Sequence, residues 1–133
     1  RSEKDLRDKL LLKKYDTNLV DKVIKDLANE KLLDDSVFAK QWIYHRTEFS
    51  GYGKRRIEME LFKKGVSQNI IKKEIPKINS NQEYVRAKEL ALRKYPTYKD
   101  QDNYKKREKL GAFLMRKGYL WDIVRRVLDE FKY

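Results

Sequence analysis

The stretch Glu60-Leu61-Phe62-Lys63-Lys64-Gly65-Val66-Ser67-Gln68-Asn69-Ile70-Ile71 returns 53 residues later as Phe113-Leu114-Met115-Arg116-Lys117-Gly118-Tyr119-Leu120-Trp121-Asp122-Ile123-Val124. A third copy stands 51 residues earlier, with Tyr15 in the place of Val66 and Tyr119. Around these anchors the apolar rows align. Leu10, Leu61 and Leu114 lie five residues before, Leu11, Phe62 and Met115 four before, and Leu6, Ile57 and Leu110 nine before. Downstream, Leu19, Ile70 and Ile123 lie four after, Val20, Ile71 and Val124 five after, Ile24, Ile75 and Leu128 nine after, and Leu27, Ile78 and Phe131 twelve after. Such offsets mark one face of an amphipathic helix on each side of the anchor. Each copy therefore reads as a helix, a tight turn and a second helix, and self-similarity at this period marks a tandem repeat.

The turns carry matching chemistry. Gly65 and Gly118 stand where a helix C-terminus needs a left-handed residue, and Val66 and Tyr119 follow as apolar residues able to pack back on Leu61 and Leu114. The first copy has Lys14 at the glycine position, which costs about 1 kcal/mol if the same turn is kept.

A third helix is expected after each of the first two pairs. Asp34 or Asp35 can cap a helix from Ser36 to about Thr47 with Phe38, Ala39, Trp42 and Ile43 on its apolar face. Ser80 or Asn81 can cap Gln82 to Tyr95, with Ala87, Leu90 and Ala91 inward, and a loop from Pro96 to about Asp102 follows. The pattern predicts helices near 3–13, 17–29, 35–48, 54–64, 68–78, 82–95, 103–117 and 120–131, with Pro76 kinking or ending the fifth. The fold class is all-α: tandem three-helix repeats over 1–49 and 50–98 and a two-helix repeat over 99–133, forming an elongated, curved monomer.

Composition agrees. Five Gly and two Pro in 133 residues are too few for a sheet protein, which turns every eight to twelve residues. The absence of Cys excludes disulfides, thiolate metal sites and Cys catalysis, and suits a reducing compartment. No apolar run approaches the roughly 20 residues that span a bilayer, so a soluble, intracellular protein without membrane contact is expected. Arg1 comes first and Ser2 reads as an N-cap, as expected of a fragment whose preceding part is removed.

The helical units contain further landmarks: Ser2-Glu3-Lys4-Asp5-Leu6, then Leu32-Leu33-Asp34-Asp35-Ser36-Val37-Phe38-Ala39, then Trp42, Arg46 and the Gly53 to Leu61 helix. With the two Lys-Gly-apolar turns, this set resembles the RecX family of RecA regulators over essentially the whole chain. The resemblance implies a bacterial cytoplasmic protein of recombination, repair and the SOS response. It would bind the helical groove of the RecA filament on single-stranded DNA and inhibit ATP hydrolysis, strand exchange and coprotease activity.

The net charge is +12, distributed as +1 over 1–49, +7 over 50–98 and +4 over 99–133. The middle unit is thus the electrostatic candidate for a phosphate backbone or an acidic protein groove. Lys54, Arg55 and Arg56 open one of its helices, Lys63 and Lys64 close it, and Lys72, Lys73 and Lys77 line the polar side of the next. Tyr52 precedes the first cluster in a flexible Ser50-Gly51-Tyr52-Gly53 turn, a mixture suited to backbone contact with base stacking. Arg125 and Arg126 complete the candidate set, although Asp122, Asp129 and Glu130 stand at pairing distance along the same helix.

Each candidate has a plainer reading. Charged helix faces are ordinarily just solvated. Gly51-Tyr52-Gly53-Lys54 lacks phosphate-loop spacing and a preceding strand, which excludes nucleotide binding. Asp34 and Asp35 read as caps rather than metal ligands, His45 lacks partner ligands, Trp42 falls on a core spacing, and Trp121 is open between packing and a partner surface. No nucleophile, base and orienting residue assemble, so no enzyme activity and no cofactor is expected. Two other functions compete with filament regulation. One is direct DNA binding by a helix-turn-helix, for which Gln68 and Asn69 are the only base readers beside Lys72, Lys73 and Lys77; the other is a helical-repeat interaction scaffold.

Overall fold

The structure is a computed structural model that describes residues 7–8 and 17–131. Apart from Arg7 and Asp8, which are helical, the helix expected over 3–13 lies outside the described residues, as do Ser2, Leu6, Leu10, Leu11, Lys14 and Tyr15. Among the described residues there are six α-helices and no strand: α1 Thr17–Glu48, α2 Lys54–Lys63, α3 Gln68–Glu74, α4 Ser80–Lys94, α5 Asn103–Lys117 and α6 Trp121–Asp129. The chain divides into two compact units, Arg1–Val37 and Phe38–Tyr133.

The expected break near Asp34 does not occur. α1 runs unbroken for 32 residues, so Asp34 and Asp35 cap nothing. No Gly or Pro interrupts Glu30-Lys31-Leu32-Leu33-Asp34-Asp35-Ser36. Glu, Lys and Leu are good helix formers, and Asp or Ser inside a helix costs only about 0.5 kcal/mol, too little to stop it. In the first unit Val20 and Ile24, one turn apart on α1, are buried, while Leu19 and Leu27 are exposed.

The second unit has two hydrophobic cores. One joins Ala39 at the end of α1 to Ile57 and Leu61 of α2 and to Val66, Ile70, Ile71, Ile75 and Ile78, with Trp42, Ile43 and Tyr52 packed beside it. The other joins Ala87 and Ala91 of α4 to Leu110 and Leu114 of α5 and to Tyr119, Ile123, Val124, Val127 and Leu128. The end of α1 and the helix α4 thus each share a core with the helix pair that follows.

Local signals set most boundaries. α3 ends before Pro76, and Ile75–Lys77 forms a single 3-10 turn. α4 is capped by Asn79, one residue before the expected Ser80 or Asn81, its side-chain oxygen accepting from the Gln82 N–H at 3.0 Å. Asp102 caps α5 in the same way at 2.8 Å from the Lys105 nitrogen. The expected loop after α4 begins as a 3-10 turn, Tyr95–Tyr98.

Both Lys-Gly turns close as the sequence predicts. The Val66 N–H donates to the Leu61 carbonyl and the Gly65 N–H to that of Phe62; Tyr119 and Gly118 bond Leu114 and Met115 identically. The glycine φ angles are 82° and 99°. Their surroundings differ. A Cβ on Gly65 would meet nothing within 4 Å, whereas one on Gly118 would sit 2.3 Å from the Arg56 Cβ and 2.6 Å from its nitrogen. The N-terminus of α2 lies against this turn, with the Gly53 N–H donating to the Lys117 carbonyl at 2.9 Å and the Arg55 N–H to the Gly118 carbonyl at 3.0 Å.

The two equivalent glycines should therefore respond differently to alanine. Gly65→Ala meets only left-handed strain and should cost about 1–2 kcal/mol. Gly118→Ala also collides with backbone and should cost at least about 3 kcal/mol. Urea unfolding of the two variants measures the difference.

Candidate functional site: a cationic groove

The docking of α2 on the end of α5 brings together side chains some sixty residues apart. Arg55, Arg56, Met59, Glu60, Lys63 and Lys64 of the middle pair face Met115, Arg116 and Gly118, with Trp42 and Arg46 of α1 beside them, around a groove of about 690 Å³. Six of these residues are cations and one, Glu60, is an acid. Glu60 is engaged: its Oε2 accepts from Arg46 Nη2 at 2.7 Å.

Two rings support the cations. The Arg46 guanidinium lies 4.6 Å from the Trp42 ring centre and 5.1 Å from that of Tyr52. Lys64 Nζ lies 4.5 Å from the Trp42 ring, and Arg56 and Lys117 stand 3.7 and 5.4 Å from the Tyr52 ring. Such contacts contribute about 0.5–1 kcal/mol each when exposed and more when desolvated, which offsets part of the repulsion among gathered positive charges. Arg56 also donates to the Arg116 carbonyl at 3.2 Å. Trp42 Nε1, Arg46 Nε and Glu60 Oε1 are buried without a hydrogen-bond partner. Unpartnered buried polar atoms are uncommon, and three belong to residues lining this one groove.

The predicted residues distribute unevenly. Arg55, Arg56, Lys63 and Lys64 line the groove together. Lys54 is turned inward: its N–H donates to Glu83 Oε2 at 3.0 Å, and its ammonium sits 3.8 Å from Glu83 Oε1 and 3.4 Å from Ser80 Oγ. Glu83 is buried, and burial pushes its carboxyl above the usual glutamate value against the pull of the Lys54 N–H and charge. Tyr52 is half-buried, and its ring lies near the chain's own Arg46, Arg56 and Lys117. Lys72 and Lys73 are exposed on α3, outside the groove, and Lys77 pairs with buried Glu74 at 3.1 Å. Arg125 lies 3.9 Å from Asp129, and Arg126 stacks 3.8 Å from the Tyr84 ring. These two lie on a surface of mixed charge with Asp122 and Glu130.

Several groove residues fall outside the candidate binding set read from the sequence: Arg46, Met59, Met115 and Arg116, together with Trp42, whose spacing assigns it to the core. Trp42 does pack beside the first core but is only half-buried. A signal for Arg116 exists, since Arg116-Lys117-Gly118 repeats Lys63-Lys64-Gly65. Trp121 is 56% exposed, which places it on the surface. The Tyr119 hydroxyl donates to the Gly51 carbonyl at 2.7 Å, and burial pushes its phenol up to about 12. No described helix is long and apolar enough to cross a membrane.

Comparison with known proteins matches residues 34–73 to the model of the second three-helix domain of RecX and residues 81–128 to that of the third. The regulatory protein RecX of Clostridium tetani is 34% identical over 135 residues, covering 100% of this chain and 62% of that protein. The RecX of Clostridium botulinum strain Eklund 17B is 36% identical, covering 98% and 61%. The chain thus spans about 62% of the length of these curated relatives. The crystal structure of RecX from Lactobacillus salivarius superposes with a TM-score of 0.72 at 23% identity, covering 98% of this chain and 84% of that one, and shares the fold.

The contrast between neighbouring cations is testable. Lys54→Glu sets a second carboxylate against buried Glu83 and should cost at least about 3 kcal/mol, the scale of breaking a buried pair. Arg55→Glu, at an exposed position, should stay within about 0.5 kcal/mol of the parent. Thermal unfolding followed by circular dichroism checks both.

Proposed function

The chain belongs to the RecX family of regulatory proteins, and on that premise we propose that it lowers the activity of a RecA recombinase filament on single-stranded DNA by seating its cationic groove on that filament. The observation that carries this reading is the gathering of Arg55, Lys63, Lys64 and Arg116 along one groove whose only acid is spent on Arg46. Such a groove suits a polyanionic surface, either phosphates or the acidic side chains of a protein. The groove's lining offers cations, methionines and a tryptophan, a set fitted to binding rather than bond-making. Occupancy would impede ATP hydrolysis, strand exchange and coprotease activity together, because all three depend on the same filament.

α3 supports a sequence-reading helix-turn-helix less well. It has seven residues, and the Lys77 that follows it is held by Glu74.

The test must spare Lys54 and Arg56, which have structural duties. Changing Arg55, Lys63 and Lys64 together to Glu should leave the unfolding temperature near that of the parent. It should raise the concentration needed to halve the DNA-dependent ATP hydrolysis of RecA by about tenfold or more. Unchanged inhibition by the folded variant would refute the groove as the binding face. Measuring the same variant on naked single-stranded DNA at two salt concentrations separates phosphate binding from protein binding. Each cation–phosphate pairing that the substitutions abolish should flatten the salt dependence by about 0.7 in log–log slope.

A further inference from the structure

Beside the cationic groove lies a second concavity of about 340 Å³ between α5 and α6, lined by Tyr104, Gly111, Ala112, Met115, Trp121 and Leu128 among others. Met115 lines both, so the two adjoin at this side chain. Tyr104 is 75% exposed and Trp121 56%, and a Cβ on Gly111 would lie 3.3 Å from Leu128, so the glycine deepens the recess. Its lining includes one cation, Arg107, held by Asp129 at 2.8 Å, and one acid, Glu108, so the recess itself offers no net positive charge and suits an apolar side chain. We propose that groove and recess form one bipartite peptide site, which takes an acidic segment carrying a single large apolar side chain. The carboxylates would meet Arg55, Lys63 and Arg116, and the apolar side chain would enter the recess past Met115.

This rests on the reading that the groove is the binding face, and it chooses between the two kinds of polyanion that the groove suits. A nucleic-acid strand gains most where successive bases find free ring faces along its phosphate track, but the Trp42 ring in the groove and the nearby Tyr52 ring already carry Arg46, Arg56 and Lys64, and the exposed rings, Tyr104 and Trp121, lie only in the recess. A base pushed into the recess would bury polar edges among carbon-rich walls and lose its bonds to water. A Phe or Leu side chain has no polar edge to desolvate there and gains from covering apolar surface. Met59 in the groove and Met115, which it shares with the recess, add the adaptable surface common where a protein accepts peptide segments.

The probe is a fluorescein-labelled dodecapeptide of Glu and Ser residues around one central Phe, followed by anisotropy with the whole chain. Two control peptides replace Phe by Ser, or every Glu by Gln. Each control should bind about tenfold or more weaker, because burying a Phe and pairing the carboxylates both contribute. In the protein, Ala112→Gln, which crowds the recess from an exposed position without adding charge, and Trp121→Ala, which removes a wall, should each weaken the Phe peptide about tenfold while leaving the Ser control unchanged. Both should also weaken inhibition of the RecA filament. Equal binding of the Phe and Ser peptides would overturn the proposal, as would loss of oligo-dT binding rather than peptide binding in Ala112→Gln. If the recess variants inhibit normally while the Arg55, Lys63 and Lys64 variant does not, the bipartite site is wrong and the groove reading survives. If none of the variants alters inhibition, both are wrong.

Discussion

Two backbone hydrogen bonds organise the second unit: Gly53 N–H to the Lys117 carbonyl and Arg55 N–H to the Gly118 carbonyl. α2 begins with Lys54, Arg55 and Arg56, has no acidic residue in its first turn, and receives no side-chain cap from Gly53. That is the wrong sign of charge for the positive end of a helix, and its leading N–H groups have no local acceptor. Both deficits are met from a distance. The last carbonyls of α5, the negative end of another helix, take two donors, and the buried Glu83 carboxylate of α4 takes the Lys54 N–H. The join tolerates no side chain on either glycine, since a Cβ on Gly53 would lie 2.5 Å from the Gly118 carbonyl oxygen.

The same join creates the groove. It sets the cations opening α2 beside Arg116 at the end of α5, and it draws both Arg56 and Lys117 to the Tyr52 ring. Gathering this much positive charge opposes folding. The chain offsets it with ring faces and with Glu60, not with a matching set of acids. A local rule broken in this way, with the compensation drawn from neighbouring elements, is characteristic of positions kept for binding. An incoming anion would relieve the repulsion that the fold leaves in place.

Much of the fold is legible in the sequence because burial follows helical spacing. Leu61 and Leu114, Ile57 and Leu110, Val66 and Tyr119, Ile71 and Val124, and Ile75 and Leu128 are all buried, as their shared offsets imply. The row one residue beyond Leu61 and Leu114 misleads. Phe62 is 62% exposed and Met115 39%, because an apolar residue at the edge of the stripe satisfies the pattern without entering the core. The uninterrupted α1 is hidden for a different reason: aspartates that can cap a helix start do not create one when strong helix formers precede them. The groove is half legible. Charge summed over consecutive stretches points to the middle unit, whereas Arg46, Arg55 and Arg116 meet only after α2 docks on α5.

The two Lys-Gly turns mark the limit of what local sequence can specify. Gly65 and Gly118 share a preceding Lys, a following residue that packs back into the core, their hydrogen-bond pattern and their left-handed backbone, all of which follow from local sequence. Open space surrounds the Gly65 α-carbon, while the first turn of another helix presses on Gly118. The adjoining residues differ only as Val66 against Tyr119 and do not dictate that crowding, which is made by Gly53 and by the cation-rich helix it begins. A repeat therefore transmits conformation from copy to copy without transmitting duty. The duty is assigned by whichever donors lack a local acceptor, and here those belong to the helix that carries the binding cations.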